Sequence, residues 1–402
     1  MKKNSKALLV LGIIWLYLSN FFGYNKFSQI RVSYAIECLL YSIPLLMSYK
    51  NINRHRTTMC FHNEIILLIV LPLISGISAI IEFNQSLYQT LVAWVPSLLW
   101  ATYYLLHTYK VPYSKALKFL LLFTFIGVAI MTVQQFIPNQ AIFGVLGVNE
   151  YDKIAEVRNG LYRFRIGGAA CAGIFLFTFY FNKLIKEYKR IQIIISIILI
   201  LYIYLTLTRQ TILTALIVIV STYIVSSKKN ISLQSVLLVF IFISVFYFYG
   251  EQLFNSFIVK TVEQTSGEDI RLVEYEYFSN EIFTNPMIFI FGTGIPHASS
   301  PLGAYYKSLE DNYSLFTSDI GIIGTWFNYG IIYIILFLWI TYKVIIKMRK
   351  YIPTYIQIYY FSVIIILPLA FPWGTSISNM LWAFILYIID CEIINNKKNK
   401  LL

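Results

Sequence analysis

"YLTLTRQTILTALIVIV", residues 204–220, holds a single charge, Arg209, in a run that otherwise suits hydrocarbon. Stretches of this kind recur along all 402 residues. Roughly 20 apolar residues in a helix cross a hydrocarbon core of about 30 Å, and because backbone polar groups in lipid must pair within the segment, helix is the conformation expected. Twelve such segments are predicted: 7–22, 32–48, 64–81, 90–107, 116–133, 168–181, 191–206, 212–225, 233–249, 322–342, 355–371 and 379–394. Composition agrees, with 58% hydrophobic residues, 13% charged residues and a mean hydropathy of +0.67, outside the range of soluble domains. The expected fold is therefore all-α, a polytopic membrane protein with residues 1–402 forming one integral membrane domain.

An even number of spans puts both termini on one side, and basic residues mark that side as cytoplasmic. Of the 32 basic residues, 22 fall on the terminus side of this map, among them Lys2, Lys3, Lys110, Lys183, Lys343 and Lys397. The net charge of +13 is then explained by topology and by anionic lipid, so no nucleic-acid partner is expected. On the other face the balance reverses, with 14 of the 19 acidic residues against ten basic ones. Arginine is the favoured cation there, and its fork suits phosphate oxygens. Cys38 and Cys171 fall within spans, Cys60 and Cys391 on the cytoplasmic side, so no disulfide framework is expected outside. His297 is the one outward histidine, which leaves no His/Cys metal cage. The first apolar run lacks a small-residue cleavage site and reads as a signal anchor.

Two outward loops exceed the usual helix-to-helix length: 134–166 and 250–321. The second is rich in aromatic and aliphatic residues, the opposite of a disordered composition. Ser266 and Asp269 resemble a capping box, and Leu272, Tyr275, Phe278 and Ile282 follow at helical spacing until Asn285-Pro286 ends the run. An amphipathic helix on the outer surface is expected. Arg271 lies in its first turn, either paired with Glu274 at i, i+3 or free for a ligand. After it, "FGTGIPHASSPLGAYY" and "DNYSLFTSDIGIIG" are read as turn-rich stretches. Arg209 belongs to a tight outward turn between two spans. Nearer the bilayer centre a charge costs about 2.5 to 3.5 kcal/mol, so Arg209 either serves a function or snorkels to lipid phosphates.

Three stretches, taken in order, resemble the superfamily of O-antigen polymerases (Wzy-type) and O-antigen ligases. "RFRIGGAACAGIF", 163–175, is similar to an Arg loop that opens a span on small residues. "LTLTRQTILTAL", 205–216, is similar to a Thr-Arg turn between spans. "RLVEYEYFSNEIFTNPMIFIFGTG", 271–294, followed by "DNYSLFTSDIGIIG", 311–324, resembles the large outward loop of that superfamily. Its ligases show His-Asn where this chain has Asp311-Asn312, which favours polymerase over ligase.

The resemblance implies a GT-C-like membrane glycosyltransferase at the outer face of the cytoplasmic (inner) membrane. It would polymerise undecaprenyl-pyrophosphate-linked repeat units into O-antigen, the polysaccharide of lipopolysaccharide, or into a capsular or exopolysaccharide. It assigns Arg163, Arg165, Arg209, Arg271 and Asn312 to the pyrophosphate and glycan, and Asp311 as base, with His297 the alternative base. Asp311 also reads as an exposed loop acid beside Glu310, or as a cap. Tyr305, Tyr306 and Tyr313 would either stack on sugars or pack. No cofactor or metal is implied, and no D-x-D clamp occurs. A chain-length regulator and a flippase are the implied protein partners. The competing readings are an O-antigen ligase, a lipid-linked-oligosaccharide flippase and a non-catalytic subunit. Against the flippase stand the lack of similarity between residues 1–200 and 201–402 and the long second loop.

Overall fold

The computed structural model describes residues 3–19, 30–52, 59–137, 145–146, 157–158, 160–162, 164–165, 169–226 and 270–399. Helices stand at every predicted apolar segment that falls on these residues. They are α1 (Lys3–Leu18), α2 (Ile30–Ile52), α3 (His62–Ile81), α4 (Leu87–Trp94), α5 (Thr102–Thr108), α6 (Tyr113–Gln134), α7 (Ala169–Lys186), α8 (Arg190–Leu205) and α9 (Arg209–Ser226). After the second loop come α10 (Ile270–Thr284), α11 (Pro286–Phe291), α12 (Pro301–Tyr313), α13 (Gly321–Tyr329), α14 (Ile331–Tyr342), α15 (Thr354–Ile366) and α16 (Ser376–Asn399). Segment 233–249 and the Ser266–Asp269 cap lie outside the described residues.

Among the described residues, three helices are long and apolar enough to cross a membrane: His62–Ile81, Tyr113–Gln134 and Ser376–Lys397. The last is the most deeply buried in protein, 83% of its apolar window against 56% and 50% for the others. Its buried residues include Trp382, Phe384, Leu386 and Ile388, and α1, α5, α6 and α7 pack against the helix.

Several expectations change. The segment 322–342 is not one helix, because Gly330 at φ 79° separates α13 from α14. The segment 355–371 stops early, with α15 ending at Ile366 before Pro368. Segment 90–107 is helical throughout but tightens to 3-10 over Val95–Ala101, where Pro96 lacks the N–H an α-turn would use. The stretch read as turns around residues 301–313 is a helix, α12. Ser300 Oγ caps it by accepting the Gly303 N–H, Pro301 supplies a fixed φ, and Ser314 in the left-handed region closes it. The loop 134–166 holds the exceptions to an all-α fold, two antiparallel two-residue ladders pairing Val145–Leu146 with Phe164–Arg165 and Val157–Arg158 with Leu161–Tyr162.

Hydrogen bonds sort the connections into two ends. At one, Gln85 of the α3–α4 turn reaches Ile295 O, and Gln210 at the start of α9 reaches Leu369 O. At the other, Cys60 before α3 and His107 of α5 meet Asp390 of α16, and Tyr113 at the start of α6 meets Tyr355 of α15. Lys110, Lys343, Lys347 and Lys397 belong to this second, basic end. A separate small core of Phe278, Ile282, Ile288, Leu309, Leu315, Ile320 and Phe327 binds α10 through α13 into one unit at the first end.

Candidate functional site

Arg209 opens α9 and is half-buried. The turn before it is built by two threonines: Thr206 Oγ1 donates to Ile203 O at 2.6 Å and Thr208 Oγ1 to Thr206 O at 3.1 Å. Between them Leu207 takes φ 49°, a left-handed conformation that a branched side chain adopts only under constraint. A cation at a helix N-terminus faces the positive end of the dipole and costs roughly 0.3 to 1 kcal/mol. An anion there would reverse that sign.

Arg271 repeats the arrangement as the second residue of α10. One turn on, Tyr275 donates its hydroxyl to Pro368 O, while Gln210, beside Arg209, donates Nε2 to Leu369 O at 2.8 Å. Ile322 N–H, at the start of α13, donates to Leu367 O at 3.0 Å. Three successive carbonyls left over where α15 ends are thus taken by α13, α10 and α9. The approach is close enough that a Cβ on Gly321, φ 41°, would lie 2.1 Å from Leu367 O. Burial pushes the Tyr275 phenol up, and the Arg271 guanidinium partly offsets this. Glu274, buried between them, accepts the Phe316 N–H at 2.9 Å and so fixes the chain just after α12.

Arg165 sits on the strand paired with Val145, four residues before α7, and Arg163 lies outside the described residues. The neighbouring ladder is held by Gln135 at the end of α6, whose Nε2 and Oε1 pair with Tyr162 O and N–H at 2.9 and 2.8 Å. Because α7–α8 and α8–α9 are tight hairpins, α7 and α9 start at the same end, and Arg165 enters on the side where Arg209 stands.

The glycine pair of "FGTG" has a different task. Gly292 at φ 74° and Gly330 at φ 79° let two turns meet backbone to backbone, with a Gly330 Cβ falling 2.1 Å from Ile290 O. Thr293 N–H and Gly294 N–H then donate to Phe327 O and Asn328 O at 2.7 and 3.0 Å. His297 follows, buried at 7% exposure. Gln85 holds it, its Oε1 accepting from His297 N–H at 3.1 Å and Ser300 Oγ at 2.7 Å. Burial lowers the imidazole below its ordinary value.

Asp311 and Asn312 are exposed on the last turn of α12, not in a turn. The two candidate bases therefore occupy opposite ends of one helix, whose 13 residues span about 20 Å. The Glu274–Phe316 bond ties the chain just after the Asp311 end of α12 to α10. His297 is at the far end. Tyr305 and Tyr306 are engaged by Tyr277 at 3.0 Å and Thr293 at 2.7 Å, whereas Tyr313 is exposed. Among the described residues no group of three His, Cys, Asp or Glu side chains could hold a metal. The sequence marks Glu274 only as an i, i+3 neighbour of Arg271 and Tyr275 only as one of the apolar helix positions, and it does not mark Gln85 or Gln210, although Gln210 stands next to Arg209. No known family matches the chain, and no curated protein or solved structure is significantly similar to it.

Proposed function

We propose that this chain crosses the cytoplasmic membrane twelve times with both termini inside, and that it polymerises undecaprenyl-pyrophosphate-linked repeat units at the outer face. One observation carries the reading: Arg209 and Arg271 open helices that are anchored to adjacent peptides, Leu369 and Pro368, at the end of α15. Two guanidinium groups at two helix N-termini suit a pyrophosphate, which in leaving gains negative charge that preorganised donors stabilise.

In the transfer, an acceptor sugar hydroxyl oxygen bonds to the donor's anomeric carbon. The bond from that carbon to the pyrophosphate oxygen breaks, and undecaprenyl pyrophosphate departs with the electron pair. The hydroxyl proton passes to Asp311, a carboxylate being a sufficient base when the leaving group departs early. Asn312, Arg163 and Arg165 serve the glycan and the lipid phosphates.

The test is Arg209→Ala and Arg271→Ala in a cell whose own copy is deleted. Each should lower polymer about 100-fold at normal protein level, the scale of one lost oxyanion-type donor. Lysine should rescue poorly, because a point charge replaces a fork. Surface-glycan electrophoresis of the deletion separates the readings: single attached repeats fit a polymerase, no attached repeats a ligase, and units stranded inside a flippase. Full-length polymer from Arg209→Ala would leave the residue as a lipid anchor only.

A further inference from the structure

The two ring nitrogens of His297 have different surroundings. Nδ1 lies 3.3 Å from the Ser299 N–H and 3.1 Å from Ser299 Oγ. A backbone N–H can only donate, so Nδ1 accepts, and the neutral ring carries its proton on Nε2. Burial keeps the ring neutral by lowering its proton affinity. Nε2 itself is buried and has no partner among the described residues. A buried donor left unmade costs about 1 to 3 kcal/mol. The surrounding chain is nevertheless held firmly, since Gln85 also donates Nε2 to Ile295 O at 3.1 Å and to Thr90 Oγ1 at 3.2 Å.

In the glycosyl-transfer reading, His297 stands apart from the bond-making step. Its turn is fastened to the Asn328 end of α13, while the arginine-bearing helices meet at the Gly321 end, seven residues and about 10 Å away. An anomeric carbon is bonded directly to the leaving oxygen and cannot lie that far from a held pyrophosphate. Ten ångströms is instead the length of about two sugar rings. Tyr34 of α2 lies against the imidazole with ring centroids 5.2 Å apart, so an aromatic ring stands beside the donor, the combination that suits a sugar's C–H face and its oxygens.

We propose that His297 is a glycan-reading residue, whose Nε2–H donates to a sugar oxygen of the lipid-linked substrate a ring or two away from the anomeric carbon. This rests on the glycosyl-transfer reading of the arginine site. Glutamine presents an amide N–H near the position of Nε2, whereas asparagine presents one near Nδ1.

With undecaprenyl-pyrophosphate-linked repeat units extracted from a deletion strain as substrate, His297→Gln should keep kcat/KM within about twofold and leave its pH profile unchanged. His297→Asn and His297→Ala should each lose about tenfold, mainly through KM. A general base would behave otherwise: His297→Gln as inactive as His297→Ala, or a lost acid limb in the pH profile of His297→Gln, overturns the proposal. Should the Ala and Asn variants fail to fold, 15N-histidine NMR in nanodiscs decides. A signal absent from His297→Gln should report the Nε2–H tautomer, and an Nδ1–H tautomer overturns the assignment. Arg209→Ala run in parallel separates the two failures, since full activity there removes the transfer reading itself, while an inactive Arg209→Ala with an inactive His297→Gln removes only the donor.

Discussion

The two ends of the bundle handle charge in opposite ways. At the basic end, buried carboxylates draw partners from across the fold. Asp390, fully buried on α16, receives Cys60 N–H and His107 Nε2 at 3.1 Å each and the Tyr103 hydroxyl, all on Oδ2. Glu64 pairs with Lys343 at 2.6 Å and accepts Trp339 Nε1 at 3.0 Å, and Lys343 donates a further bond to Cys60 O. The Cys60 peptide thus links both clusters, and helices α3, α5, α14 and α16 are tied by charge as well as by packing. A turn of π-helix at Lys343–Lys347 swings the lysine into place. At the other end, Arg209 and Arg271 lie in the first turns of α9 and α10, and His297 Nε2 has no acceptor among the described residues. The basic end pairs buried charges across the fold, whereas the other end gathers two arginines and a buried imidazole donor.

The largest expected effect lies at the basic end. Lys343→Ala leaves Glu64 buried without its ammonium and should cost about 3 to 5 kcal/mol, read as thermal unfolding in detergent. Glu64→Gln combined with Lys343→Met should recover most of it, and a double variant as unstable as the single would show that packing, not charge, is responsible. Gly330→Ala comes next, because it forces a β-carbon into a left-handed turn and against the Ile290 carbonyl. We expect a loss of about 2 kcal/mol or more. Wild-type stability in that variant would mean that the α13–α14 break does not hold the "FGTG" turn.

Smaller in stability is Arg209→Gln. Removing a cation from the helix N-terminus should change stability by about 1 kcal/mol or less while polymer falls about 100-fold. A variant both less stable and less active would make Arg209 a structural residue like Lys343. The smallest effect is on pH. Because burial lowers the His297 affinity for protons, the unfolded chain takes up a proton near pH 6.5 that the folded chain refuses. The stability that His297 contributes is therefore complete above that value and declines as pH falls below it. Between pH 7.5 and 5.5, His297→Gln should flatten this decline by a few tenths of a kcal/mol, and an unchanged slope would place the titration on another group.

Much of this was legible in the chain itself. Apolar runs located the helices, since a backbone in hydrocarbon has few ways to pair its own polar groups. The run Leu272, Tyr275, Phe278, Ile282 marked α10, and Asn285-Pro286 marked its end. Arg209 and Arg271 were conspicuous because a cation in an apolar or first-turn position has a cost that composition alone reveals. By contrast, α12 lies in a glycine-containing stretch whose pattern suggests turns, although Ser300-Pro301 supplies its cap and first residue.

Other features exist only once the chain has folded. Glu64 and Lys343 are 279 residues apart, and Cys60 and Asp390 are 330 apart. Nothing local marks either pair. The same holds for the meeting of α9, α10 and α13 on the three carbonyls after Ile366, and for the mutual fit of Gly292 and Gly330. Sequence determined which segments favour apolar surroundings and where charge is costly, because those are properties of a residue and its near neighbours. Which charge answers which, and which histidine nitrogen keeps its proton, were decided by tertiary structure. A hydrogen bond depends on distance and direction, and distant residues acquire both only when the helices pack.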